Sequence, residues 1–197
     1  GGSTGGSTGT SGNTCTLTAN TTPTSQLSTS GCAILTRDVS SCLASRQAAG
    51  LSGFWLKFSC RVTLSVAGGV VTAVSDGQPD YLSNYFPTSN PCHEAYTGAI
   101  QNPNLISAKS YSVNFPQSPD TSSQAMHGAV VGLALNGVPI FGNFAAPGDD
   151  IFQEAMTFDR CNAHPQNAGA YHYHSEPYSI SQSDSAFIGV MRDGYPI

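Results

Sequence analysis

Residues 171–174 read Tyr-His-Tyr-His, and this alternation constrains the fold more than any other stretch of the chain. In an extended strand successive side chains point to opposite faces, so His172 and His174 stand side by side while Tyr171 and Tyr173 point the other way. His164 lies eight residues before the first of the pair, across a Pro165–Gly169 segment rich in turn formers that lets the chain reverse. Three of the five histidines thus fall in one hairpin-sized segment, Asp159 to Pro177. The spacing predicts a metal centre with His164, His172 and His174 as ligands. Imidazole suits zinc, copper, iron and nickel, and copper or zinc is the expected ion. Strand histidines also commonly do no more than pack, so a cluster without a metal is the competing expectation.

A metal-bound imidazole gives its other ring hydrogen to an acceptor. Glu154, Asp159 and Glu176 are the nearby carboxylates expected to support the ligands, and His127 and His93 are the further candidate ligands. An ion that keeps an open position lowers the pKa of a bound water to about 7 and supports hydrolysis. Glu154 or Glu176 would then be the base, and copper would add redox chemistry. No catalytic residue follows from the sequence, which has no nucleophile elbow, no His-Glu-x-x-His and no phosphate loop.

The six cysteines, Cys15, Cys32, Cys42, Cys60, Cys92 and Cys161, include no Cys-x-x-Cys pair. An even count without that motif favours three disulfides in an oxidising compartment, hence an extracellular, cell-surface or periplasmic protein. Spacing does not choose the pairing; Cys32 with Cys42 closes the shortest loop and is the first expectation. Only 10% of residues are charged, the net charge is −5, and the seven basic residues are scattered. Nucleic-acid binding needs clustered Lys and Arg, and no apolar run is long enough to cross a bilayer. The expected partner is therefore a metal ion, with no nucleic acid and no membrane insertion.

Residues 1–14 repeat Gly-Gly-Ser-Thr and are expected to form a flexible tether. Residues 15–197 are expected to form a single β-rich domain. No signal peptide precedes it, which points to a processed, mature form. Thr16 to Ser30 is an irregular or edge strand. Asp38 to Ala49 puts Val39, Leu43 and Ala44 on one side, with Asp38 as cap and Gly50 as stop, and predicts the longest helix of the chain. Alternation at Leu56, Phe58, Cys60, Val62, Leu64 and Val66, then Gly68-Gly69, then Val70 to Val74, predicts a hairpin. Asp80 to Pro91 is a tyrosine-containing loop that borders a site or packs. Leu105 to Phe115 is another strand and Pro116 to Ser123 a loop. Ala125 to Phe144, opened by His127, is a hairpin about Asn136-Gly137, whose two turn positions should both take φ > 0. The fold class is all-β, with sandwich-like antiparallel sheets, one short helix near 38–49 and disulfide-stabilised loops.

An internal echo supports this architecture. VVGLALNGVPI, ending at Ile140, returns as FIGVMRDGYPI, ending at Ile197, at a constant offset of 57. A duplicated hairpin is expected. Its second copy stops before a return strand, so the domain is expected to be incomplete at its C-terminus, or to complete its sheet by self-association with a neighbouring chain.

The assembled residues resemble the YHYH domain, a family of secreted or envelope proteins. The resemblance runs through LNGVPIFG (135–142), FDRC (158–161), HPQ (164–166), the tetrapeptide, Ser175-Glu176-Pro177 and IGVMRDGYPI (188–197). It spans Leu135 to Ile197 and loosens before Ala125. It implies an extracellular β-rich module, and members that commonly continue past the position where this chain ends. It carries no catalytic residue across. Asn162-Ala163 stands where a glycine before the histidine is usual, a departure expected to alter the turn more than the ligands. The leading expectation is a secreted or cell-surface metal-binding domain with a three-histidine site that could be catalytic. The alternative, from another class, is a structural, adhesive or fibre-forming surface protein whose open sheet edge receives a neighbouring strand.

Overall fold

The computed structural model describes residues 14–100, 102–119, 130–142 and 151–197. His127, nearly all of the tether and part of the loop at 116–123 lie outside them. Strands in mainly antiparallel sheets dominate, with a few short helices and three disulfides. β1 (Thr21–Leu27) and β2 (Ala33–Arg37) pair with each other; β3 (Thr63–Ala67), β4 (Val70–Ser75) and β5 (Tyr111–Pro116) form a three-stranded sheet. A five-stranded sheet holds β6 (Val130–Ala134), β7 (Pro139–Phe141), β8 (Ala163–Pro165), β9 (Tyr171–Tyr173) and β10 (Gly189–Met191) in the order β10-β6-β7-β9-β8. Its one parallel contact sets Ile140 beside Tyr173.

Register decides what each face of this sheet carries. Gly132 opposite Ile140, and Ile140 beside Tyr173, put Ala134, Ile140 and Tyr173 on one face, in a core with Tyr81, Tyr85, Cys32 and Cys161. Leu133, Val190, Phe141 and His172 take the other. There Leu133 and Val190 pack on Trp55, Phe58, Val71 and Phe115, while the far end of the same face carries the histidines. Each fully buried aliphatic or aromatic side chain contributes about 1.5–3 kcal/mol, so slipping a strand by one residue would empty both cores.

The predicted hairpin is shorter than its alternation promised. Gly53–Lys57 is a 3-10 turn, and strand begins only at Thr63. With about three residues per turn, positions 55 and 58 fall on the same side; Trp55 and Phe58 then stack with ring centroids 6.0 Å apart, both buried. In a strand they would face opposite ways. The predicted helix is also shorter: α1 covers Leu43–Ala48, because the Asp38 carboxylate accepts the Ser40 and Ser41 amides and caps a turn ahead of it. β2 was not predicted at all.

The expected Cys32–Cys42 bridge is not formed. Cys32 pairs with Cys161, Cys42 with Cys60 and Cys15 with Cys92. Arg46 of α1 donates to the carbonyls of Phe58, Ser59 and Val62, which seats α1 on the segment carrying Cys60, whereas Cys32 enters the tyrosine core.

The duplicated hairpin is real in the backbone. Gly137 N–H donates to Ala134 O and Ala134 N–H to Val138 O; 57 residues on, Gly194 donates to Met191 and Met191 to Tyr195. β6 and β10 pair so that Leu133 opposes Val190, its own counterpart, which gives a local two-fold between the copies. The second copy does turn back: Val190 bridges Pro196 and Ile197 bonds Gly189, as Leu133 meets Pro139 and Gly132 meets Ile140 in the first. The turns differ from expectation in type. Only Gly137, at φ +87°, is left-handed, and Asn136 is not; this is the three-residue loop closed by a left-handed glycine, not a two-residue turn.

Gly137 is also sterically confined. A Cβ there would lie 2.5 Å from Ser75 Oγ and 2.8 Å from Val62 Cγ2, whereas Gly68, also left-handed, faces open space. Gly137→Ala is expected to lower stability in urea unfolding by at least about 1–3 kcal/mol more than Gly68→Ala does. Equal losses would place the cost in backbone conformation alone.

Candidate metal centre

Strands β8 and β9 form a tight hairpin that sets His164 directly opposite His172. Its turn repeats the pattern of the duplicated unit, with Gln166 N–H on Ala170 O, Gly169 N–H on Gln166 O, and Gly169 at φ +75°. The turn entering β8 does the same from Asp159 to Ala163, with Asn162 in the left-handed position at φ +72°. Asparagine tolerates that region better than other side-chain-bearing residues. Its amide also donates to Ser175 Oγ and Glu176 O, so it does what glycine would do and ties the turn to the end of β9.

The three imidazoles meet. The ligand-capable nitrogens of His164, His172 and His174 all lie within 4.8 Å of one another. His172 stacks on Phe141 at 4.0 Å and His164 meets Phe158 edge-on at 4.9 Å. Each Nδ1 already has a partner, and the partners fix the tautomers. His172 Nδ1 bonds the Ala170 carbonyl at 2.9 Å and His174 Nδ1 the Gly142 carbonyl at 2.6 Å. A carbonyl only accepts, so both Nδ1 atoms carry hydrogen. Thr157 donates its hydroxyl hydrogen to Glu154 O and therefore accepts at 2.7 Å from His164 Nδ1. In the neutral rings every Nε2 is then a bare lone pair.

Those lone pairs are badly placed for a cluster that only packs. His172 Nε2 and His174 Nε2 are 2.9 Å apart, and neither has a hydrogen to give. His164 Nε2 is buried without a hydrogen-bond partner. Burial holds His164 down to about 4 and His172 down to about 3, with the neighbouring imidazoles acting in the same direction, so neither of these two rings takes up a proton readily. A cation at the common centre would satisfy all three nitrogens, and the donor set fits a transition metal ion.

The carboxylates divide. Glu154, on α2 (Ile151–Ala155), reaches the cluster: its Oε2 is 3.5 Å from His164 Nε2 and 3.3 Å from His174 Nε2. Asp159 lies on the opposite face of the sheet, where it accepts from Ser83, Tyr171 and the amides of Cys161 and Ala163. Burial pushes it up to about 6 against those four bonds. Glu176 lines a shallow surface cleft with Asp184, Ser183 and Ile140, and its carboxyl is raised by burial and by Asp184. His93 bonds the Phe86 carbonyl beside the Cys15–Cys92 bridge, away from the cluster. Thr157 was missed by sequence reasoning; a threonine three residues after the glutamate carries no signal of its own.

The phenols form a second polar assembly. Tyr81 bonds Tyr171 at 2.9 Å and Tyr173 at 2.8 Å, Tyr171 donates to Asp159, and Asn136 links Tyr173 to Asp80, which pairs with Arg37 at 2.6 Å. The tyrosine loop at 80–91 therefore packs against the face of β9 opposite the histidines. A cleft of about 650 Å³ opens beside Tyr81, Leu35, Glu94 and Arg160, and none of the histidines lines it.

Residues 110–197 match the model of a family described as YHYH protein. The match begins at 110 where the motifs read from sequence began at 135, and so takes in β5, whose Val113 and Phe115 lie in the core beneath Leu133 and Val190. It covers the histidine hairpin, Glu154 and both copies of the duplicated unit. No curated protein and no solved structure matches the chain.

The two faces of β9 should respond separately to mutation. Tyr173→Phe removes one of the two acceptors of the Asn136 amide and one Tyr81 contact, so urea unfolding should show a loss of about 1–3 kcal/mol, with the imidazole NMR resonances of His164, His172 and His174 unmoved. In metal-free protein the unfolded chain protonates His164 and His172 near 6.5 while the folded chain resists to about 4 and 3 respectively. Their contribution is complete above 6.5 and is lost as pH falls through that window. His172→Phe, which keeps a ring against Phe141, removes one such group. It should flatten the dependence of unfolding free energy on pH between about 4 and 6.5 relative to wild type; parallel curves would contradict a buried neutral imidazole.

Proposed function

We propose that the protein is a secreted or cell-surface metal-binding domain whose ion, copper or zinc, is held by His164, His172 and His174. One observation carries this reading: two Nε2 lone pairs 2.9 Å apart, each ring locked in the Nδ1–H tautomer by its own acceptor. With both rings neutral, a cluster that only packed would leave this repulsion uncompensated, and an ion between them would relieve it. The Nδ1 bonds to Ala170, Gly142 and Thr157 also supply the outer hydrogen-bonded shell that metal-binding imidazoles need. Ligands about 2.0–2.1 Å from a tetrahedral ion sit about 3.3 Å apart, so the 2.9 Å pair need open by only a few tenths of an ångström.

The cysteines support the compartment in this reading. All six are bridged, and no free thiol is present among the described residues. Within those residues no helix is long and apolar enough to cross a membrane. Disulfides of this kind persist outside the reducing cytosol.

Protein produced with its disulfides and without an affinity tag, then dialysed against excess zinc or copper, should retain one equivalent of metal by elemental analysis. The double variant His172→Ala/His174→Ala should retain less than a tenth as much, with its three disulfides intact. Wild-type protein that retains no metal, or a double variant that retains a full equivalent, would contradict the reading.

A further inference from the structure

Three histidines leave one corner of a tetrahedron, and Glu154 is the carboxylate that stands beside it. Its Oε2 stands 3.3 Å from His174 Nε2 and 3.5 Å from His164 Nε2, so against two of the three nitrogens it stands close to the spacing of about 3.3 Å between neighbouring ligands of a tetrahedral ion, and a small swing of its side chain would complete the third edge at His172. A base acting on a metal-bound water stands one water farther out, within hydrogen-bond reach of that water. From this geometry we infer that Glu154 is the fourth ligand, so that the ion closes a three-histidine, one-carboxylate site and fastens α2 onto the edge of the five-stranded sheet. This inference rests on the three-histidine reading above.

Just after the helix, the Ile100 amide donates to the Met156 carbonyl and the Tyr85 hydroxyl to the Thr157 carbonyl. The described part of α2, Ile151–Ala155, buries no side chain. Helices this short do not persist by propensity, and they depend on tertiary contacts. Two polar links run from this segment to the histidines: the Glu154 carboxylate, and the Thr157 hydroxyl on His164 Nδ1. The Thr157 hydroxyl is also bonded to the Glu154 carbonyl, so ligand and supporting residue belong to one turn. With an ion, one carboxylate and three imidazoles leave a divalent charge half neutralised in a largely buried place. A closed set of four protein ligands is the arrangement of structural centres, whereas hydrolytic centres keep a position for water. The ion therefore orders the segment above the histidines instead of activating a water.

The test uses full-length, disulfide-bonded protein loaded with cobalt(II), whose visible absorption reports coordination number. Wild type should give an intense tetrahedral spectrum that azide leaves unchanged. Glu154→Gln and Glu154→Ala should bind zinc at least about 100-fold more weakly in chelator competition, beyond the range usual for an outer-shell residue. The cobalt spectrum of Glu154→Ala should become azide-sensitive. Hydrogen exchange at 151–155 should slow on metal addition in wild type and not in either variant. Affinity within tenfold of wild type together with an unchanged cobalt spectrum in both variants would overturn the assignment of Glu154 and leave the three histidines standing. Failure of wild type to bind either zinc or cobalt would instead overturn the three-histidine reading itself.

Discussion

Strand β9 is three residues long, and the two-residue period of an extended backbone makes it serve two polar assemblies at once. Tyr171 and Tyr173 can meet Tyr81 only if His172 points to the other face, and His174 follows His172 by the same rule. Neither assembly tolerates a one-residue slip, because that would bury imidazoles among phenols and expose phenols to the histidine side. The alternation is therefore a register lock. It is pinned laterally by Ile140 beside Tyr173 and by His164 opposite His172.

The phenol side holds because almost every polar atom in it is partnered. Buried hydroxyls and carboxylates are costly when unpaired, and here the chain runs unbroken from Arg37 through Asp80, Asn136, Tyr173, Tyr81 and Tyr171 to Asp159 and Ser83. A buried ion pair such as Arg37–Asp80 is weak evidence for stability in itself. Its effect is to fix geometry: Arg37 also donates to the carbonyls of Leu35 and Ser179 and so joins β2 to the segment after β9. The histidine side has the opposite character. Its outer nitrogens are satisfied, and in the neutral rings its inner ones converge without hydrogens, an arrangement that a cation would complete. The fold thus keeps one face of β9 closed in on itself and gathers three ligand-capable nitrogens on the other.

Much of this was legible because it depends on period and spacing. The tetrapeptide fixed two rings on one face, the turn formers at 165–169 returned His164 to them, and the offset of 57 located the paired hairpins. Other features depended on information that a linear pattern lacks. Alternation at 54–58 looked like strand, but Trp55 and Phe58 share a core only through a 3-10 turn. Cys32 lay nearest to Cys42 along the chain, yet loop length does not decide pairing once Arg46 seats α1 against the segment bearing Cys60. Asp159 and Glu154 looked equivalent as carboxylates near the histidines. Which face each reaches was settled by the turn at Asn162 and by α2, neither of which had a sequence signal strong enough to read.

The turns supply the remaining link between sequence and site. Five hairpin corners use one device, a backbone N–H to the carbonyl four residues on, closed by a left-handed residue at 31, 137, 162, 169 or 194. Two of the five belong to the duplicated unit, whose copies meet at Leu133 and Val190 over an apolar core. Two more, at 162 and 169, bracket β8 in the segment between the copies, and that segment adds β9 and β8 beyond β7 on one side of the local two-fold. The side chains on this face change accordingly with distance from the axis, from Leu133 and Val190 to Phe141 and then to His172 and His164. Phe141 is the junction. Its ring lies against His172, so the last apolar layer of the duplicated scaffold forms the wall on which the histidine centre is built.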